Sequence, residues 1–124
     1  MAENHKLSED GKTITDSDTG LMWAVETLPR MTQEAAFEAA KASTLSGYSD
    51  WRVPTAHELQ SIVDHSRSTP ACDPIFRTKL GGYWTSTDYK AYPANAWVVY
   101  FVNGNTYAGY KTYNYFVRLV RSGQ

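Results

Sequence analysis

The sequence predicts an α+β domain, and three observations carry that expectation. Two segments, over about residues 33–43 and 56–65, have the caps and apolar spacing of helices. The rest of the chain is cut by Gly, Pro, Asn and Asp into short stretches with strand-like alternation. A length of 124 residues, with 42% hydrophobic and 20% charged side chains, suits one globular core. Residues 1–10 read as a loose polar lead-in and 11–124 as a single domain, with no internal repeat or low-complexity tract.

Taken in order, Asp10-Gly11 marks a turn and Thr13-Ile14-Thr15 a short strand. Asp16 to Gly20 forms a second turn before strand-like Leu21-Met22-Trp23-Ala24, which makes an N-terminal hairpin. Thr32 is an N-cap for an alanine-rich helix over Gln33 to Ser43, with Glu34 near its positive end. Phe37, the one large apolar residue of that helix, is expected on its buried side with Ala36, Ala40 and Leu45. Thr55 and Glu58 fit a capping box. Leu59, Ile62 and Val63 then mark the buried face of a second helix ending near His65.

Pro70, Pro74 and Gly81-Gly82 break up the segment from Ser66 to Gly82. Tyr83 to Thr87 is a strand. Trp97, Val99 and Phe101 alternate with Val98, Tyr100 and Val102, the first set expected inward and the second outward. Asn103-Gly104 is a strong turn signal, with Thr106 to Tyr110 as the hairpin partner. Tyr115 to Arg121 reads as the last strand, in which Phe116 and Val120 share a parity.

Bulk properties exclude several functions. A net charge of −1 with scattered cations gives no footprint for nucleic acid. No window approaches the roughly 20 apolar residues of a membrane span, and Met1 to Asp10 has no apolar signal-peptide core. A single cysteine, Cys72, excludes an intrachain disulfide framework and a Cys-rich zinc site.

Chemistry is equally sparse. His57 and His65 lack metalloprotease spacing, and Asp16-Ser17-Asp18 lacks the acidic pattern of a calcium loop, so it reads as a turn held by Asx hydrogen bonds. Cys72 lies between two prolines with no partner in sequence, and Glu58 is explained by its cap. The expectation is therefore no enzyme, no catalytic residue, no metal and no cofactor. Arg52, Arg118 and Arg121 sit among apolar strand residues and are expected to pair with carboxylates or carbonyls beneath the surface. Trp23, Trp51, Trp84 and Trp97 read as core.

What stands out is the stretch from Tyr89 to Tyr115, which holds seven of the nine tyrosines and four of the five asparagines. Tyrosine gives large contact area at low entropic cost and asparagine gives adaptable hydrogen bonds, a pairing used in paratopes. The stretch therefore reads as a binding face on a fixed scaffold.

The framework segments also stand in a recognisable order. They are Asp16-Ser-Asp-Thr-Gly-Leu-Met-Trp23, Gly47-Tyr-Ser-Asp-Trp-Arg-Val-Pro-Thr-Ala-His-Glu-Leu59, Tyr83-Trp-Thr-Ser-Thr87, Ala96-Trp-Val-Val-Tyr-Phe-Val-Asn-Gly104 and Val117-Arg-Leu-Val-Arg121. This resembles the DUF1566 family, the C-terminal domain of the Legionella collagen-like adhesin, from Gly11 to Arg121.

The resemblance implies a C-type lectin-like fold: a small twisted antiparallel sheet, two flanking helices, and adjacent N- and C-terminal strands. It also implies a binding role at a cell or virion surface. In the collagen-like adhesin the domain is similar to a trimeric binder of sulfated glycans, so a trimer and a protein or surface-glycan ligand are implied by analogy. The calcium-dependent sugar motif of true C-type lectins and the catalytic cysteine pair of formylglycine-generating enzymes are both missing.

Members of this fold also serve as variable proteins of diversity-generating retroelements, which rewrite Asn codons at exposed positions near the end of the gene. That likeness marks Tyr89, Tyr92, Asn95, Val98, Tyr100, Asn105, Tyr107, Tyr110, Tyr113 and Asn114 as candidate variable, ligand-binding positions.

Overall fold

In the computed structural model, which describes residues 4–122, the predicted N-terminal hairpin forms and gains a strand on each side. The strands are β1 (His5–Leu7), β2 (Thr13–Asp16), β3 (Met22–Ala24), β4 (Leu28–Met31), β5 (Gly82–Asp88), β6 (Asn95–Tyr100), β7 (Asn105–Tyr110), β8 (Tyr115–Val117) and β9 (Val120–Arg121). The helices are α1 (Gln33–Ala42) and α2 (Ala56–Gln60). One sheet runs β1-β2-β3-β9 and the other β4-β8-β5-β6-β7, so the architecture is a small α+β domain with two sheets. All pairings are antiparallel except the single β5–β8 contact.

The lead-in is not loose throughout. Residues 1–3 lie outside the described residues, but His5–Leu7 pairs with β2 as an edge strand. Asn4 Nδ2 donates to Asp16 Oδ1 at 2.8 Å and holds it there. Asp16 also takes the Asp18 amide at 2.9 Å, which is the expected Asx turn. Burial works against the Asp16 charge. The Asn4 and Asp18 hydrogen bonds, with His5 nearby, still hold its carboxyl below the usual carboxylate range.

Caps behave as the sequence indicates. The Thr32 hydroxyl accepts the Ala35 amide, and Thr55 and Glu58 close a full capping box. Helix α2 stops at Gln60, however, and Ile62 and Val63 reach the core from a turn rather than from a helix running to His65.

The two cores lie on opposite faces of the larger sheet. On one face Tyr83, Val99 and Phe101 pack with Leu59, Ile62 and Phe76 and with Ile14 and Trp23 of the smaller sheet. On the other, Trp84, Ala96, Val98 and Val117 pack with Ala36 and Ala40 of α1 and with Trp51 and Val53. This corrects the inside-out reading of β6. Val98 is as fully buried as Val99, while Trp97, Tyr100 and Val102 are half-buried. A strand covered on both faces carries apolar side chains on both, and Val98 and Val99 each gain about 1.5–3 kcal/mol from burial.

Phe37 is a second correction. It stands exposed on α1 while Ala36 and Ala40 face the sheet, because the small alanines let the helix lie close and Trp51 fills the space beside them. Phe37 and Trp51 instead line a groove of about 640 Å³.

The last strand is two. Arg118 interrupts it, sending β8 to the larger sheet and β9 to the smaller, where Trp23 pairs with Val120. The last strand thus adjoins β3 of the N-terminal hairpin, while β1, the first strand, forms the opposite edge of that sheet.

Candidate functional site

The β6–β7 hairpin sets the candidate surface. Its register pairs Asn95 with Tyr110 at the open end and Tyr100 with Asn105 at the turn. At the turn Gly104 adopts φ 83°, and the Asn103 side chain accepts the Asn105 amide at 3.0 Å. Strand alternation then puts Ala96, Val98, Tyr100, Asn105, Tyr107 and Gly109 on the face toward α1. Asn95, Trp97, Thr106, Ala108 and Tyr110 lie on the other.

This splits the predicted set into two groups. At the open end, Tyr89 meets Trp97 edge-on at 4.9 Å and Tyr92 lies stacked against Tyr89 at 6.2 Å. Tyr110 and Tyr113 form a second edge-to-face pair at 5.2 Å. Tyr92, Tyr110 and Tyr113 are 67%, 53% and 55% exposed, so these rings offer area to solvent or to a ligand. A tight loop holds them: Tyr92 donates its amide to Tyr89, Asn95 to Tyr92, and Lys111 to Ala94. The Lys111 ammonium is engaged with Asp88 at 3.0 Å.

On the face toward α1 the tyrosines do a different job. Tyr107 lies between Tyr100 and Tyr115, at 6.0 and 6.2 Å between ring centres, and Tyr115 meets Trp84 edge-on at 4.9 Å. A Cβ on Gly82 would come within 2.8 Å of the Tyr115 ring and 2.7 Å of the Tyr107 hydroxyl. One on Gly109 would come within 2.8 Å of Tyr115. The glycines leave bare backbone and the rings occupy the room, a known way of supporting strand glycines. Burial, reinforced by Tyr115 and Tyr100, pushes the Tyr107 phenol up to about 12.

Of the ten predicted positions, Tyr92, Asn105, Tyr107, Tyr110, Tyr113 and Asn114 are exposed. Tyr89, Asn95 and Tyr100 are half-buried. Val98 is removed from any contact surface by its burial. Tyr115, which the sequence reading passed over, and its two glycines are the support. An isolated glycine inside a strand was the available signal.

The three arginines of the apolar strand segments, Arg52, Arg118 and Arg121, are all engaged within the fold. Arg52 makes a two-pronged pair with Glu58 at 2.7 Å for each bond, which holds the Glu58 carboxyl below its ordinary range. Arg121 grips Asp50 at 2.6 and 3.1 Å and lies 3.8 Å over the Tyr48 ring. Arg118 is fully buried and donates to the carbonyls of Ala24 and Val25 at 2.8 and 2.7 Å, and to the hydroxyls of Thr27 and Thr78. Cys72 is also buried, and burial pushes its thiol up, away from nucleophile chemistry. Among the described residues no group of three or more His, Cys, Asp or Glu is placed to hold a metal, and no helix is long and apolar enough to cross a membrane.

The family model described as Lcl C-terminal domain matches residues 12–121, nearly all of the chain. No curated protein matches it.

Proposed function

Because the chain belongs to the Lcl C-terminal domain family, also known as DUF1566, we propose that it is a non-catalytic, C-type lectin-like display domain. Its Tyr/Asn surface around β6 and β7 binds a macromolecular ligand. The observation that carries this reading is the contrast across one hairpin. Tyr92, Tyr110 and Tyr113 are exposed beside Val98, Val99 and Phe101, which are wholly buried. Side chains with much exposed area sit on a buried frame.

The finer reading is a variable protein of a diversity-generating retroelement. Val98 leaves the variable set, which becomes Tyr92, Asn105, Tyr107, Tyr110, Tyr113 and Asn114 at the surface, with Tyr89, Asn95 and Tyr100 behind them. The gene would then be followed by a near-copy repeat whose differences fall at adenines, beside a reverse transcriptase. Sequencing that neighbourhood tests it, and a locus without the repeat overturns it.

A second reading, a fixed adhesin for sulfated glycans, calls on cations. Arg52, Arg118 and Arg121 are occupied within the fold, so the surface owes more to aromatic rings than to charge. Heparin retention at low salt that vanishes in Lys90→Ala/Lys111→Ala would favour the glycan reading over the proposed one.

A further inference from the structure

The two sheets have four outer edges, and three of them are guarded. Strand β1 is three residues long and carries exposed Lys6. Strand β4 contains Pro29 and Arg30. Strand β9 is two residues long, and Arg52 closes its outer side with backbone bonds to Val120 at 2.8 and 3.0 Å. Short length, Pro and charge are the means by which edges avoid pairing with other chains.

Strand β7 has none of these. It runs six residues, Asn-Thr-Tyr-Ala-Gly-Tyr, without a bulge, a proline or a charged side chain, and it ends its sheet. The Lys111 amide donates to the Ala94 carbonyl at 2.9 Å, which makes Asn95–Tyr110 a non-hydrogen-bonded pair of the ladder. Counting along the register, Thr106, Ala108 and Tyr110 turn their N–H and C=O groups away from β6, and the Tyr110 carbonyl takes the Tyr113 amide at 2.9 Å. The groups of Thr106 and Ala108 with the Tyr110 N–H form a row with a repeat of about 6.8 Å, the spacing of an extended polypeptide. Half-buried Ala108 and buried Gly109 leave a low step between exposed Tyr107 and Tyr110, room for a partner's side chains. The flanking Lys111 is neutralised by Asp88, so an uncharged segment matches this edge and a charged one would lose hydration for nothing.

We propose that β7 is a strand-addition site that takes an extended, uncharged peptide segment of a protein ligand as a sixth strand. This rests on the binding reading above and deepens it by fixing the ligand as protein. Backbone pairing would supply affinity, and the replaceable tyrosines would read alternate side chains.

A random nonapeptide library displayed on phage, panned against the whole chain, supplies the probe. An enriched peptide is then synthesised and bound to the labelled domain. The amides of Thr106, Ala108 and Tyr110 should become at least about tenfold more protected from exchange, those three together, with little change at Tyr107 and Gly109. Ala108→Pro removes one outward donor without touching the ladder to β6, and should weaken binding at least about tenfold while the fold persists. Should Ala108→Pro unfold the chain, N-methylation at alternate peptide residues gives the same reading, with loss of binding at every second position. No enriched peptide, binding that leaves the three amides unprotected, or protection of those amides by dimerisation without peptide would each overturn the proposal. Tyr92→Ala and Tyr113→Ala separate the two claims: binding lost there but kept in Ala108→Pro retains the aromatic surface and removes strand addition.

Discussion

The open end of the β6–β7 hairpin and its face toward α1 use the same residue for opposite purposes. At the open end Tyr92, Tyr110 and Tyr113 stand more than half exposed over a turn-rich loop. On the face toward α1 Tyr115, with Tyr107 beside it, lies against the bare backbone of Gly82, near the turn, and of Gly109, near the open end, and closes the sheet face. What separates them is the backbone beneath: rings over glycine are held, and rings beyond the last covering element are free. Composition marks the whole stretch as a binding face, and packing decides which half of it can change.

Tyr115→Ala should break the comparison most strongly, costing about 3 kcal/mol in urea unfolding because it leaves two glycines and Trp84 uncovered. A loss under about 1 kcal/mol would place Tyr115 with the exposed rings. Next comes a pair away from the hairpin. Glu58→Gln loosens the grip on Arg52 and should cost about 1–2 kcal/mol.

The same pair sets an acid limit. The folded Glu58 carboxyl lies below its ordinary value of 4.5, so its contribution is present above that value and is lost as pH falls through the folded pKa. Thermal melts from pH 6 to pH 3 should show the decline, reduced in Glu58→Gln.

Alkaline titration sharpens the account of the face toward α1. One phenol should titrate with a midpoint of about 12 and disappear in Tyr107→Phe. Because the folded value is raised from 10.0, the associated stability is full below pH 10 and declines as pH rises toward 12. The smallest effects belong to the open end, where Tyr92→Ala and Tyr113→Ala should each change stability by less than about 0.5 kcal/mol while altering ligand binding.

Local chemistry was legible in the sequence. The caps at Thr32 and Thr55, the Asp16 turn and the Asn103-Gly104 turn each depend on residues within a few positions, and each forms. Long-range burial was less legible. Alternation at Trp97 to Val102 reads as one wet face only if nothing covers the second face, and α1 and Trp51 cover it at Val98. Phe37 looked buried for the same reason: size suggests the core, but only the neighbouring elements decide whether there is room. Strand β4 was missed because Pro29 demotes the run, and a sheet edge tolerates it. Strand β1 is not legible because His5-Lys6-Leu7 is short and has a single apolar residue, and only its pairing to β2 orders it.

Deep mutational scanning of residues 82–117, read out by the level of folded protein displayed on cells, tests the central claim most directly. Tyr92, Asn105, Tyr110, Tyr113 and Asn114 should accept nearly every residue. Gly82, Val98, Gly109 and Tyr115 should accept almost none. Equal intolerance at the exposed and the glycine-backed positions, or free substitution of Val98 by charged residues, would contradict the division into a fixed frame and a replaceable surface.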